Sequence, residues 1–213
     1  LTNELEENRK HWKDNRIDIE IKSVKQKTLN KEESLKSKLI NALPETGFLA
    51  EYMSYACPLT DAPNEFHLIG ALMTLSTIIS NQTYIQFGHQ KIYPNLYVIL
   101  IAPSSIFRKS TVMGISKSLV KLMDKKSVFP NEMTPEAFKE SLSTETGQGQ
   151  GIFYISEFGS LLTSFEREYN RGLKEFFTDI YDCPDEYVRK LNRGTFTISH
   201  PFINIFGGSD ISW

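Results

Sequence analysis

Residues 96–119, LYVILIAPSSIFRKSTVMGISKSL, constrain the fold more than any other stretch. Leu96 to Ile101 is an unbroken run of apolar side chains, the pattern of a strand buried on both faces of a parallel sheet. A turn of small residues follows, and beyond it Val112, Ile115, Leu119 and Leu122 fall on one helical stripe. Strand, short turn and helix in that order predict an α/β unit. The turn closes on Arg108-Lys109-Ser110-Thr111, directly at the helix start.

A loop that binds phosphate needs converging backbone N–H groups, a lysine that reaches the β and γ oxygens and a hydroxyl for Mg²⁺. All of them sit at a helix N-terminus, whose dipole favours the anion. Lys109 and Ser110 meet the second and third needs. In the strict frame of the glycine-rich motif the two glycine positions are Pro103 and Arg108. Pro103 donates no N–H, and Ala102 would serve in a loop one residue longer. Arg108 is expected to hold an ordinary helical or extended φ, because its Cβ disfavours the glycine conformation. In compensation it would bring a second cation to the triphosphate. Taken alone, the stretch reads equally as an ordinary basic helix N-terminus.

A second apolar strand, GIFYIS, ends in Ser156-Glu157. A carboxylate at such a strand tip holds Mg²⁺ or orients an attacking water. Serine stands where a metal-linked aspartate is usual, leaving Glu157 as the carboxylate of that tip; the pair would also serve as a helix N-cap with an acid favourable to the dipole. A third buried strand, PFINIFGGSD, places Ser209 or Asp210 as a polar sensor after Gly207-Gly208.

The expected fold is therefore a mostly parallel sheet flanked by helices, with an N-terminal helical segment. Residues 1–43 mix charges of both signs and read as a helical linker or tail, and residues 44–213 as the core. Within the core, Glu65 to Ser80 is apolar nearly all round, as in a helix buried between layers, and His67 reads as a core-edge histidine sooner than a metal ligand. TYIQFG alternates with period two, Thr134-Pro135 opens a further helix, and STETGQGQ is a polar loop. EFGSLLTSFEREYNRGLKEFFTDIYD is mainly helical, and EYVRKLNRGTFTIS is a hairpin turning at Asn192 to Gly194. No stretch approaches the roughly 20 apolar residues of a membrane span. Cys57 and Cys183 have no metal or disulfide spacing, which fits a reducing cytoplasm. A net charge of -2 gives no global attraction to nucleic acid, so such contact would be local. The chain lacks an initiating methionine and is expected to be an excerpt of a longer one.

The runs YPNLYVILIAPSSIFRKST, GIFYISEFGSLL and NRGTFTISHPFINIFGGSD, in that order, resemble the DUF3987 family of P-loop proteins, found with primase and helicase modules in phage and plasmid replication proteins. The likeness covers roughly residues 44 to 213 and implies a RecA-like NTPase that uses ATP and Mg²⁺. It implies a nucleotide loop of Ser104, Ser105, Ile106, Phe107, Arg108, Lys109, Ser110 and Thr111. Lys109 would sit on the β and γ phosphates, Ser110 on Mg²⁺, Arg108 near the phosphates, Glu157 as the water-activating acid and metal neighbour, and Ser209 as the sensor. RecA-like folds act as rings, a hexamer being one such homo-oligomer. An arginine from the neighbouring subunit would come from Arg171, Arg189 or Arg193. Arg189, Lys190 and Tyr187 are candidates to line a single-strand channel, or equally a solvated hairpin.

Three functions follow. The first is an ATP-driven motor of a replicative helicase or primase-helicase on single-stranded DNA, alongside a primase domain or protein. The second is a slow nucleotide switch, and the third an assembly module whose loop binds no nucleotide.

Overall fold

The computed structural model describes residues 41–130, 149–165, 172–191 and 194–211, with Lys38 and Leu142. The chain divides into two units, Leu1–Pro44 and Glu45–Trp213, and the second carries the fold described below. The expected helical linker or tail over residues 1–43 and the helix from Thr134 fall wholly or largely outside the described residues, as does most of the STETGQGQ loop.

Two helices open the core, α1 (Phe48–Ala56) and α2 (Asn64–Ile79). Pro63 precedes α2 and Glu65 lies in its first turn, where acid suits the helix dipole. Its sides are apolar because it is covered from two directions: Ala71 packs with Tyr52 and Ala56 of α1, while Met73 joins the core on the sheet. His67 is fully buried in α2, and burial holds its imidazole below the usual range. An exposed two-stranded hairpin follows, β1 (Ile85–Phe87) with β2 (Gln90–Ile92).

Among the described residues the sheet proper has three parallel strands, β3 (Tyr97–Ile101), β4 (Gln150–Ile155) and β7 (Phe202–Ser209), in the order β3-β7-β4. Every residue of β7 is buried, as its central place demands. β3 departs from expectation. Among the described residues it is an edge strand, and Ile99 and Ile101 are 37% and 64% exposed, so the apolar run does not mean burial on both faces. Between β3 and β4 lies α3 (Lys109–Met123), and between β4 and β7 lie α4 (Phe158–Phe165), α5 (Leu173–Tyr181) and the hairpin β5 (Glu186–Leu191) with β6 (Gly194–Ser199). The hairpin register, Leu191 opposite Gly194, agrees with the turn read from sequence, though Asn192 and Arg193 themselves are not among the described residues.

Side chains alternate across the sheet and build a core on each face. One holds Leu100, Ile152, Tyr154 and Phe206 against Met73 of α2 and Val112, Met113 and Val120 of α3. The other holds Phe153, Ile203 and Ile205 against Phe176 and Ile180 of α5 and Ile198 of β6. The buried stripe of α3 is Val112, Met113, Ser116 and Val120, whereas Leu122 is 81% exposed; Ile115 and Leu119 turn instead to the α1 cluster. Ser116 belongs to that stripe because its hydroxyl joins Thr74 at 2.7 Å and Tyr154 at 2.9 Å, tying α2, α3 and β4 together.

Candidate functional site

The parallel strands end within two residues of one another. Ile101 of β3 pairs with Ser209 of β7, and Ile155 of β4 with Gly207. The segments leaving the strands therefore meet at one sheet edge. Because α3 and α5 cover opposite faces, a crevice opens there between the two departures, where ligands of parallel α/β sheets bind. A cavity of about 310 Å³ fills it. Pro103, Ser104, Ser105, Arg108, Lys109, Ser110 and Thr111 line it from the β3–α3 side, Ser156 and Glu157 from β4, and Ser209 and Asp210 from β7. Residues from three separate stretches that sequence reading singled out are thus brought to one place.

Two expected members are not. The Ile106 side chain is 64% exposed, and the Phe107 ring lies 6.4 Å from that of Phe66 on α2; neither lines the cavity. Arg108 lines it but departs from expectation twice. Its φ is 51° and ψ 30°, the left-handed conformation of the glycine it replaces, not an ordinary helical or extended one. Its guanidinium Nε donates to Asp61 Oδ1 at 3.0 Å, in the loop before α2. Left-handed backbone costs a residue with a Cβ about 1–2 kcal/mol. Packing of Phe107 near Phe66 and the return from two amides, Thr111 and Val112, that both donate to the Arg108 carbonyl hold it there. The Arg108 cation in turn keeps the Asp61 carboxyl below its ordinary range.

Lys109 is the first residue of α3. Its ammonium donates to the carbonyls of Ala102 and, at 3.3 Å, Pro103, so the charge sits under the turn that it is expected to serve. By helix geometry the Lys109 and Ser110 amides have no acceptor within α3, which makes the place positive in partial charge as well. Against this, Asp210 brings a carboxylate into the same turn: Ser104 N and Ser104 Oγ each donate to Asp210 Oδ2 at 2.8 Å. Ser209 is buried, its carbonyl accepting from Ala102 N and its hydroxyl donating to the Asp210 carbonyl, both at 3.3 Å.

Glu157 immediately precedes α4, with its carbonyl accepting from Ser160 N at 3.1 Å. Its position is set by Phe158, whose ring reaches the place where Gly207 lacks a side chain: a Cβ there would stand 2.9 Å from the ring. Among the described residues no group of three or more His, Cys, Asp or Glu comes together. Magnesium beside a nucleotide needs only one or two protein oxygens, the rest coming from phosphate and water, so Ser110 and Glu157 on one cavity suit it.

Among the arginines proposed to act on a neighbour, Arg189 lies beside Gly172, and Arg171 and Arg193 fall outside the described residues. Tyr187 is half-buried and packs edge-on against Phe176 at 5.1 Å. Asp61 and Phe66 carry no local sign of their part in the loop, being more than 40 residues upstream in sequence, whereas the Gly207-Gly208 pair is a visible signal of close packing at a strand tip. No helix among the described residues is long and apolar enough to cross a membrane. No family model matches the chain, and no curated protein matches it.

Proposed function

We propose that residues 45–213 form a P-loop NTPase core of RecA-like type, the ATP-binding and hydrolysing part of a helicase or primase-helicase acting on single-stranded DNA. One observation carries the reading: a single cavity at the tips of parallel strands is lined by Lys109 and Ser110, by Glu157 and by Ser209. In this reading Lys109 gives up its carbonyl partners for the β and γ phosphates, and the Ser110 hydroxyl would hold Mg²⁺, which screens the phosphate charge when bound. Glu157 either accepts a proton from the attacking water or would hold the metal through a water, one carboxylate serving one of the two, and the Ser209 hydroxyl orients the γ-phosphate. The DNA substrate, the ring-shaped homo-oligomer and the primase partner rest on the DUF3987 resemblance.

A slow nucleotide switch is the second reading. Serine at 156 and the commitment of Arg108 to Asp61 favour it, since both remove a charge that would speed hydrolysis. ATP hydrolysis measured with and without single-stranded DNA separates the two. Stimulation by DNA supports the motor, slow turnover indifferent to DNA supports the switch, and no hydrolysis with no nucleotide binding removes both.

A further inference from the structure

The most unusual group in the cavity is an acid. Asp210 follows the central strand and places one carboxylate oxygen on two donors of Ser104, its amide and its hydroxyl, each at 2.8 Å. Backbone amide and hydroxyl together on one oxygen are what a loop of this kind offers to a phosphate oxygen. We infer that Asp210 is an internal anion that gates the nucleotide site, occupying part of the phosphate cradle and opposing entry of phosphate by its charge. The inference rests on the nucleotide reading of the cavity and concerns its regulation.

Three features fit this role. Asp210 is one residue past Ser209, whose carbonyl bonds the Ala102 amide at the end of β3, so strand tip and loop are already tied at that point. The Lys109 ammonium is held on the loop carbonyls of Ala102 and Pro103, so both the cation and the Ser104 donors have internal partners that an incoming phosphate must replace. The second loop cation, Arg108, is paired with a carboxylate of its own, Asp61. Two cations facing Glu157, Asp210 and Asp61 leave no surplus of positive charge for a triphosphate, and removing one of the carboxylates shifts that balance toward binding. Of the three, Asp210 is the one whose carboxylate is seen on the Ser104 amide and hydroxyl, inside the phosphate turn itself.

The test compares the wild-type chain, Asp210→Asn, Asp210→Ser and Lys109→Ala by calorimetry with MgATP, with metal-free ATP and with inorganic pyrophosphate. Asparagine keeps an acceptor for Ser104 and removes the charge, and serine guards against a misfolded asparagine variant; thermal melts confirm folding of each. The gate predicts that both Asp210 variants bind all three ligands about tenfold more tightly than wild type. Binding by the variants with none by wild type supports the gate equally. Equal or weaker binding by both variants, with wild type binding normally, overturns the gate and leaves the nucleotide site standing. Weaker binding of MgATP alone, with metal-free ATP strengthened, also overturns it, since Asp210 would then be a metal ligand. Absence of binding in every variant overturns the nucleotide reading and the gate with it.

Discussion

Gly208 on the central strand lies against the carbonyl of Ser156 on its neighbour: a Cβ at Gly208 would stand 3.1 Å from that oxygen, with Met113 Sδ at 3.5 Å and Lys109 Cβ at 3.9 Å. The absence of one side chain lets the start of α3 settle onto the sheet beside the Ser156-Glu157 tip. Lys109 and Glu157 line one cavity with only this glycine between the segments that carry them.

Gly208→Val should therefore push both elements apart. Overpacking at such a place costs about 1–3 kcal/mol. A lowered urea midpoint together with loss of nucleotide binding is the expected result, and unchanged stability with unchanged binding would show that α3 does not rest there.

Arg108 in the left-handed region calls for a paired comparison. Arg108→Gly and Arg108→Ala lose the same exposed ion pair to Asp61, and differ mainly in backbone preference. The glycine variant should be the more stable by about 1 kcal/mol, the left-handed cost of alanine less the extra freedom of glycine in the unfolded chain. Denaturant midpoints decide it, and the reverse order would mean an ordinary φ at Arg108.

Asn204 shows how the start of β3 is fixed. Its side chain, fully buried in β7, accepts from Leu96 N at 2.7 Å and from Ser76 Oγ at 3.1 Å, and donates to Thr77 Oγ1 at 2.9 Å. Asn204→Ala leaves these groups without that partner and should lower stability by about 2–4 kcal/mol. A loss below about 0.5 kcal/mol in an equilibrium urea melt would contradict the assignment.

Alkaline stability follows from groups buried uncharged. Burial pushes the Cys183 thiol up to about 12 from an ordinary 9.0, with the Asp182 charge adding to it. Burial likewise raises the Tyr52, Tyr97 and Tyr154 hydroxyls. Above about pH 9 the unfolded chain releases protons that the folded chain keeps, so stability falls as pH rises, by at most about 1.4 kcal/mol per pH unit for each group. Cys183→Ala should flatten the first part of that decline, before the tyrosines of the unfolded chain ionise. Urea midpoints that hold constant from about pH 8 to about pH 10.5 would contradict the burial of these groups.

Much of the fold is encoded locally. The strand, turn and helix around Lys109, the acid after β4, the small residues closing β7 and the β5–β6 hairpin each depend on neighbours within a few positions, and each is present. What lay beyond local reading is set by pairing across the chain. Among the described residues β7, the farthest along the chain of the three parallel strands, takes the middle place and leaves β3 at an edge, so Ile99 and Ile101 look buried in sequence and stand exposed. The left-handed Arg108 is held by Asp61 and by Phe107 near Phe66, contacts over 40 residues that no single-residue preference encodes. The Asp210 carboxylate reaches Ser104 across 106 positions for the same reason.

Calorimetric titration of the wild-type chain and of Lys109→Ala with MgATP tests most directly whether the crevice at the strand tips is a nucleotide site. Saturable one-to-one binding by the wild type that Lys109→Ala weakens at least about a hundredfold is the predicted result. No heat with either protein, or equal binding by both, would contradict it.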